Sequence, residues 1–263
     1  MNKIFDTHAH YTDARFSDYP GGADALIEEL FAGCVGTILN VSVDTKNSLE
    51  VVSQCLKHPG MYAAVGVHPT ETSNENSLSS ALSALRIMLD NRDKNKIVAV
   101  GEIGLDYHWP DTDRETQLEY FEAQLDLAAE YGLPVIIHDR DAHRDVFEAV
   151  LRHPSAVGVF HSYSGSAETA RDLCSRGWYI SFSGVVTFKN APRVRQVAST
   201  VPLDRLLLET DAPYLAPEPY RGRMNKSDYI ASTAASLGEL FGVGADEITG
   251  ICRANAEKLF LRT

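Results

Sequence analysis

His8 and His10 stand two residues apart at the end of the first apolar run, Phe5-Asp6-Thr7-His8-Ala9-His10. Side chains alternate along an extended strand, so Asp6, His8 and His10 fall on one face and two imidazoles point the same way. Neutral imidazole is the commonest protein ligand for a transition metal, and this spacing demands no backbone distortion. A His-x-His pair by itself fits two partly buried histidines as well, so the metal reading needs further ligands. They occur where other apolar runs stop. Glu102 follows Val100-Gly101, His138 follows Val135-Ile136-Ile137, and His161 follows Val157-Gly158-Val159-Phe160. Asp211 closes Leu206-Leu207-Leu208-Glu209-Thr210-Asp211, where alternation puts Glu209 and Asp211 on one face. A buried glutamate is rare without a partner or a cation, and two adjacent acids repel unless a cation or donor lies between them.

Nitrogen and oxygen donors without sulfur suit zinc, manganese, nickel, iron or magnesium, and six donors exceed the needs of one tetrahedral ion. Two divalent ions follow. Glu102, placed directly after a glycine at a strand end, is the best candidate to bridge them. Ions roughly 3.5–4 Å apart activate a shared water and stabilise attacking and leaving oxygens, so the reaction class is metal-assisted hydrolysis. Asp211 is placed to hold one ion and to take the proton of the nucleophilic water. His68, before Pro69, could donate a hydrogen bond to substrate. Arg221-Gly222-Arg223-Met224-Asn225 offers two guanidinium groups and an amide, either as a phosphate grip or as a solvated basic loop. Arg140 and Lys189 are poorer candidates for that task, and Asp106 and His108 read as loop residues within reach of the site. His58, His143 and His153 read as structural or solvated.

These residues need a frame that delivers strand ends to one place. Apolar runs at Phe5–His10, Gly36–Val43, Met61–Val67, Lys96–Val100, Leu133–Ile137, Ala156–Phe160, Trp178–Phe182 and Arg205–Leu208 read as eight strands. Helical patterns separate them at Ala23–Ala32, Thr45–Lys57, Leu78–Leu89, Arg114–Tyr131, Ala142–Leu151, Ala167–Arg176 and Arg193–Ser199, with Asp228–Phe241 and Ala245–Leu261 last. Eight buried strands each followed by a helix predict an α/β fold of the (β/α)8 TIM-barrel type, with the site at the C-terminal strand ends. The open doubly wound alternative lacks its glycine-rich phosphate loop after the first strand.

The 263 residues, 44% hydrophobic, suffice for a single barrel domain over 1–263. A net charge of −12 argues against a broad basic surface for nucleic acid, so any polyanion must be met locally. Cys34, Cys55, Cys174 and Cys252 show no paired spacing, which predicts neither disulfides nor a thiolate metal site. With no signal-type start and no run of membrane-spanning length, the expected location is cytoplasmic, without membrane association or an obligatory protein partner.

The chain resembles the TatD family of metal-dependent deoxyribonucleases, in the amidohydrolase-like barrel superfamily. The resemblance rests on Asp6-Thr7-His8-Ala9-His10, Gly101-Glu102-Ile103-Gly104-Leu105-Asp106, His138-Asp139-Arg140-Asp141-Ala142, His161-Ser162-Tyr163-Ser164-Gly165 and Glu209-Thr210-Asp211-Ala212-Pro213-Tyr214-Leu215, in family order. It implies that His8, His10 and Asp211 hold one ion, that Glu102 bridges, and that His138 and His161 hold the other. It also implies that His68, Arg223 and Asn225 face a scissile phosphate, with magnesium, manganese or zinc as metal. The implied activity is exonucleolytic hydrolysis of DNA, 3'-5' in direction, on DNA ends or nucleotides. Three departures stand out. Ser162-Tyr163 replaces the family's Cys-Phe, Lys226-Ser227 replaces Glu-Pro, and Tyr11 replaces Leu. A small-molecule amidohydrolase, lactonase or phosphoesterase using the same two ions is the alternative, because such barrels change chemistry by loop variation.

Overall fold

The computed structural model describes residues 2–111 and 113–261. Eight parallel strands follow one another around a barrel in chain order: β1 (Ile4–Ala9), β2 (Val35–Val41), β3 (Met61–Val65), β4 (Ile97–Asp106), β5 (Val135–Arg140), β6 (Gly158–Phe160), β7 (Tyr179–Phe182) and β8 (Leu206–Leu208). The helices are α1 (Gly22–Ala32), α2 (Thr45–Lys57), α3 (Leu78–Leu89), α4 (Arg114–Tyr131), α5 (His143–Arg152), α6 (Ala167–Ser175), α7 (Pro192–Ala198), α8 (Ile230–Phe241) and α9 (Ala245–Ala256). This is the (β/α)8 barrel expected.

Local chemistry starts and stops the helices. Asp44, Ser77, Asp113 and Ser166 each accept a hydrogen bond from a first-turn amide of α2, α3, α4 and α6, satisfying donors that have no partner within the helix. Gly132 ends α4 with φ of 62°, a conformation that favours glycine. No helix among the described residues is long and apolar enough to cross a membrane. The four cysteines are free thiols.

The core has two layers. Between strands and helices lie Ile38, Val65, Val100, Val135, Phe160 and Leu206 with the apolar helix faces. Inside the barrel, Phe5, Leu39, Val41, Ala64, Ala99, Ile136, Val159, Tyr179 and Leu207 supply at least one side chain per strand, with Leu259 and Phe260 packed onto them. Above this floor the polar residues begin.

The seam between β1 and β8 is closed mostly by groups beyond β8. Asp211 N–H donates to His8 O at 2.9 Å and His10 N–H to Ala212 O at 2.7 Å. Thr210 N–H donates to the Asp6 carboxylate at 3.0 Å. Asp6 therefore serves the seam, not the face it was expected to share with His8 and His10.

Several boundaries differ from the sequence reading. β4 runs on to Asp106, so Glu102 and Asp106 lie within a strand. β3 stops at Val65, and His68 caps a short 3-10 turn, Pro69–Asn74, by accepting from Thr70 N–H. β8 ends at Leu208, and Asp211 has φ of 58°, so a bend rather than strand alternation aims its carboxylate. The last helix leaves α geometry at Ala256 and continues as a π turn, Glu257–Leu261.

Candidate metal centre

The interior layer sets the parity of each strand. Ile136 and His138 are two apart on β5, and Val159 and His161 two apart along β6 and its end, so alternation carries both histidines to the interior. On β1 and β4 alternation alone fails, because Phe5 and His8 are three apart, as are Ala99 and Glu102. The pairing shifts register between Asp6 and Ala9 on β1 and between Val100 and Ile103 on β4, which turns His8 and Glu102 inward. Gly104, at φ of 144°, lets β4 lie against β5. A Cβ there would fall 2.0 Å from His138 O.

The six expected donors converge. His8 Nε2 and His10 Nε2 are 3.0 Å apart, and Asp211 Oδ1 lies 3.7 and 3.4 Å from them. Glu102 divides its oxygens: Oε2 is 3.3 Å from His8 Nε2, while Oε1 is 2.7 Å from His138 Nδ1 and 2.7 Å from His161 Nε2. Donors bound tetrahedrally at about 2.1 Å stand about 3.4 Å from one another, so the spacings fit a first-row divalent ion. The ligand atoms of His8–His10–Asp211, of His8–Glu102–His161 and of His68–Glu102–His138 lie within 4.8 Å of one another in each group.

Outer contacts orient the rings. His10 Nδ1 lies 2.9 Å from Val41 O, which only accepts, so Nδ1 carries the proton and Nε2 turns its lone pair inward. Asp106 Oδ2, 3.1 Å from His138 Nε2, does the same for Nδ1 of His138. Glu209 Oε1 lies 3.3 Å behind His161 Nδ1, and its other oxygen accepts from the Ser181 hydroxyl. Acceptors behind imidazoles characterise metal-ligating histidines. The charges agree. Burial works against ionisation, yet the imidazoles of His161, His8 and His68 hold Glu102 well below the usual carboxylate range. Burial likewise opposes charge on His161, but the carboxylates of Glu102 and Glu209 raise it well above the usual imidazole range. Glu102 and His161 thus stabilise each other's charged forms, whereas burial first, then neighbouring imidazoles, hold His8 and His68 below the usual imidazole range.

The other expected contacts divide. His68 lines the cavity over the cluster, and burial followed by the neighbouring His138 pushes it down to about 3. It is neutral at pH 7. Since its Nδ1 accepts from Thr70 N–H at 3.2 Å, the proton sits on Nε2, 3.7 Å from Glu102. Asn225 is fully buried, and its amide donates to Thr210 O and Tyr214 O at 2.9 and 2.7 Å, which anchors the loop. Arg223 is exposed and stands outside the cavity lining. Arg140, rated poorer from sequence, lines it instead. Asp106 meets His138, whereas His108 turns outward to Asp141 at 3.1 Å. Glu209 was named from sequence only as the acidic neighbour of Asp211; its place behind His161 was not read.

Two of the three departures from family pattern, Tyr11 and Ser227, touch one another. Tyr11 and Ser227 hydroxyls are 2.7 Å apart, Ser227 N–H donates to Tyr11 Oη at 3.1 Å, and Ser227 Oγ donates to Asp6 Oδ2 at 2.7 Å. Burial pushes the Asp6 carboxyl up to about 7 against these donors.

The described cavity is about 440 Å³ and has the cluster as its floor, with Thr12, Asp13, Asn47, Thr70, Glu71, Trp109, Arg140 and Tyr214 among its walls. The family model described as TatD related DNase matches residues 5–261. The chain belongs to the TatD family. An uncharacterized metal-dependent hydrolase of Bacillus subtilis, YabD, is 38% identical, with 98% of each chain covered. YcfH of Escherichia coli, also named an uncharacterized metal-dependent hydrolase, is 34% identical, covering 98% of this chain and 95% of its own. The crystal structure of YjjV, a TatD homologue from Escherichia coli, superposes with a TM-score of 0.89 at 34% identity, with 98% of each chain covered. The protein is thus a metal-dependent hydrolase of the TatD family.

Proposed function

We propose that this TatD hydrolase is a divalent-metal-dependent deoxyribonuclease, a 3'-5' exonuclease that cuts phosphodiester bonds with a metal-activated water. The observation that carries the reading is the convergence of His8, His10, Glu102, His138, His161 and Asp211, all but the fully buried His8 lining one cavity. His8, His10 and Asp211 would hold one ion, His138 and His161 the second, and Glu102 both, one oxygen toward each. Bound there, two ions of magnesium, manganese or zinc supply a lowered water pKa and charge for the developing oxyanion. Asp211 is held below the usual carboxylate range because its bond to His10 and the charges of His8 and His10 outweigh its burial. It is therefore ionised at pH 7 and able to accept the proton of the attacking water. His68, neutral and protonated on Nε2, would donate to a phosphate oxygen, and Arg140 would meet the phosphate at the wall.

An acidic body favours a strand end entering this cavity over a duplex lying on the surface. Metal-loaded enzyme is expected to degrade linear single-stranded DNA from its 3' end and to leave closed single-stranded circles intact; equal rates on both would sink the exonuclease reading. Metal analysis adds a second arm. Replacing His8 and His10 by Ala should empty one metal position while the other stays filled, and equal loss of both at every metal concentration would contradict the two-position assignment. The acidic walls Asp13 and Glu71 favour one competitor, a small-molecule amidohydrolase, lactonase or phosphoesterase. Turnover on amides, lactones or simple phosphoesters that exceeds turnover on oligonucleotides would select it.

A further inference from the structure

Trp109 is 53% exposed, a costly position for the largest apolar side chain, and it stands in the wall of the catalytic cavity. The Arg140 guanidinium lies 5.7 Å from its ring centre. Tyr214, 38% exposed, lines the same cavity and has the Arg15 guanidinium 4.3 Å from its ring centre. Of the other exposed large apolar residues described, Leu49, Leu56, Ile87 and Leu151 sit on the outer helices and Val157 just before β6, and none lines this cavity. Trp109 follows β4 and Tyr214 follows β8. Those strands are four apart in a ring of eight, so the segments that carry the two rings leave the barrel on opposite sides of its mouth, and both rings line the cavity. Tyr214 is braced, its hydroxyl donating to Asp13 at 2.8 Å.

We propose that Trp109 and Tyr214 are stacking walls for the bases of a single DNA strand on either side of the bond to be cut, with Arg140 and Arg15 beside them for the flanking phosphates. The assignment rests on the phosphodiesterase reading above and names the part of the substrate that its catalytic centre does not touch. Stacking on aromatic rings is sequence-tolerant because every base offers a flat π-face, and a nearby guanidinium supplies both charge and a further planar surface. Bases inside a duplex already stack on one another, so the walls select unpaired ends. Locally placed arginines also answer how a chain of net charge −12 grips a polyanion.

Fluorescence provides the test, because the other tryptophan, Trp178, is only 3% exposed and packs on Phe160. Metal-loaded enzyme is titrated with a phosphorothioate thymidine oligonucleotide, which resists cleavage, and with a base-free phosphorothioate strand of equal length and charge. Expected results are saturable quenching by the thymidine strand, about tenfold or more weaker binding of the base-free strand, and a similar loss in Trp109→Leu for the thymidine strand alone. Binding by the Leu variant is followed by fluorescence anisotropy of end-labelled strands, and Trp109→Phe should recover most of the affinity. Tyr214→Leu and Tyr214→Phe should repeat that contrast. Equal affinity for the two strands, or Trp109→Leu binding both as the wild type does, overturns the stacking walls. The two readings fail separately: base-dependent quenching without DNA hydrolysis would remove the nuclease and keep the walls, whereas hydrolysis with base-independent binding would do the reverse.

Discussion

Tyr11 and Ser227 are expected to be energetically coupled, and a double-mutant cycle of Tyr11→Phe with Ser227→Pro measures it. Both side chains are buried, at 1% and 0% exposure. The direction of each hydrogen bond follows from the set. Ser227 Oγ spends its proton on Asp6, so the Tyr11 hydroxyl donates to Ser227 Oγ and accepts from Ser227 N–H. Tyr11→Phe strands a buried N–H and takes a donor from Oγ, at about 1–3 kcal/mol. Ser227→Pro strands the Tyr11 hydroxyl and takes one donor from Asp6, at a similar cost. Proline itself fits: Ser227 is the first residue of the turn Ser227–Tyr229, where a missing N–H is tolerated, and Lys226 before it is extended at ψ of 157°. In the double variant no donor or acceptor of this pair is left stranded, and only the lost bond to Asp6 remains. The double variant should then be less destabilised than the sum of the singles by about 1–3 kcal/mol, read as urea-unfolding midpoints at a common m-value. Costs that add to within about 0.5 kcal/mol would refute the reasoning, because independent sites behave that way.

Glu209→Gln should weaken metal binding at the His138–His161 position by about 10- to 100-fold, since the carboxylate stands behind His161; titration calorimetry on metal-stripped protein reads it. Gly104→Ala should destabilise the fold by about 2–4 kcal/mol and lower metal occupancy together, because the new Cβ collides with His138 O. Unfolding midpoints and metal content check both. Asp24 is held down to about 2, first by its hydrogen bond to Lys57, against burial, which is the next largest influence, and with further help from His58 and Gln54. A depressed carboxyl contributes stability above its unfolded value near 4 that disappears as pH falls toward 2. Because the pair is largely exposed, Asp24→Asn should cost only about 1 kcal/mol at pH 7 and nothing measurable near pH 2, followed by denaturation across that pH range.

The eight strands and the helices between them were legible because buried parallel strands are short Val- and Ile-rich runs and amphipathic helices repeat every 3.6 residues; both signals are local. The donor types were legible for the same reason, since His138 and His161 end apolar runs whose alternation continues to the barrel interior. His8 and Glu102 were named from sequence, but simple alternation from Phe5 and Ala99 would face them outward. Register shifts created by pairing with neighbouring strands turn them in, and no single strand contains that information. Loop residues were the least legible. Arg223 and Arg140 are chemically alike, and only the path of the chain decides which guanidinium reaches the cavity. Asn225 offers the same amide whether it faces a substrate or, as here, two backbone carbonyls. The sequence by itself determined the barrel and the ligand chemistry, which depend on composition along each segment. The tertiary structure alone decided the division of Glu102 between the two halves of the centre, the carboxylates behind His138 and His161, and the pairing of Tyr11 with Ser227, because each joins residues far apart in the chain through contacts a few ångströms long.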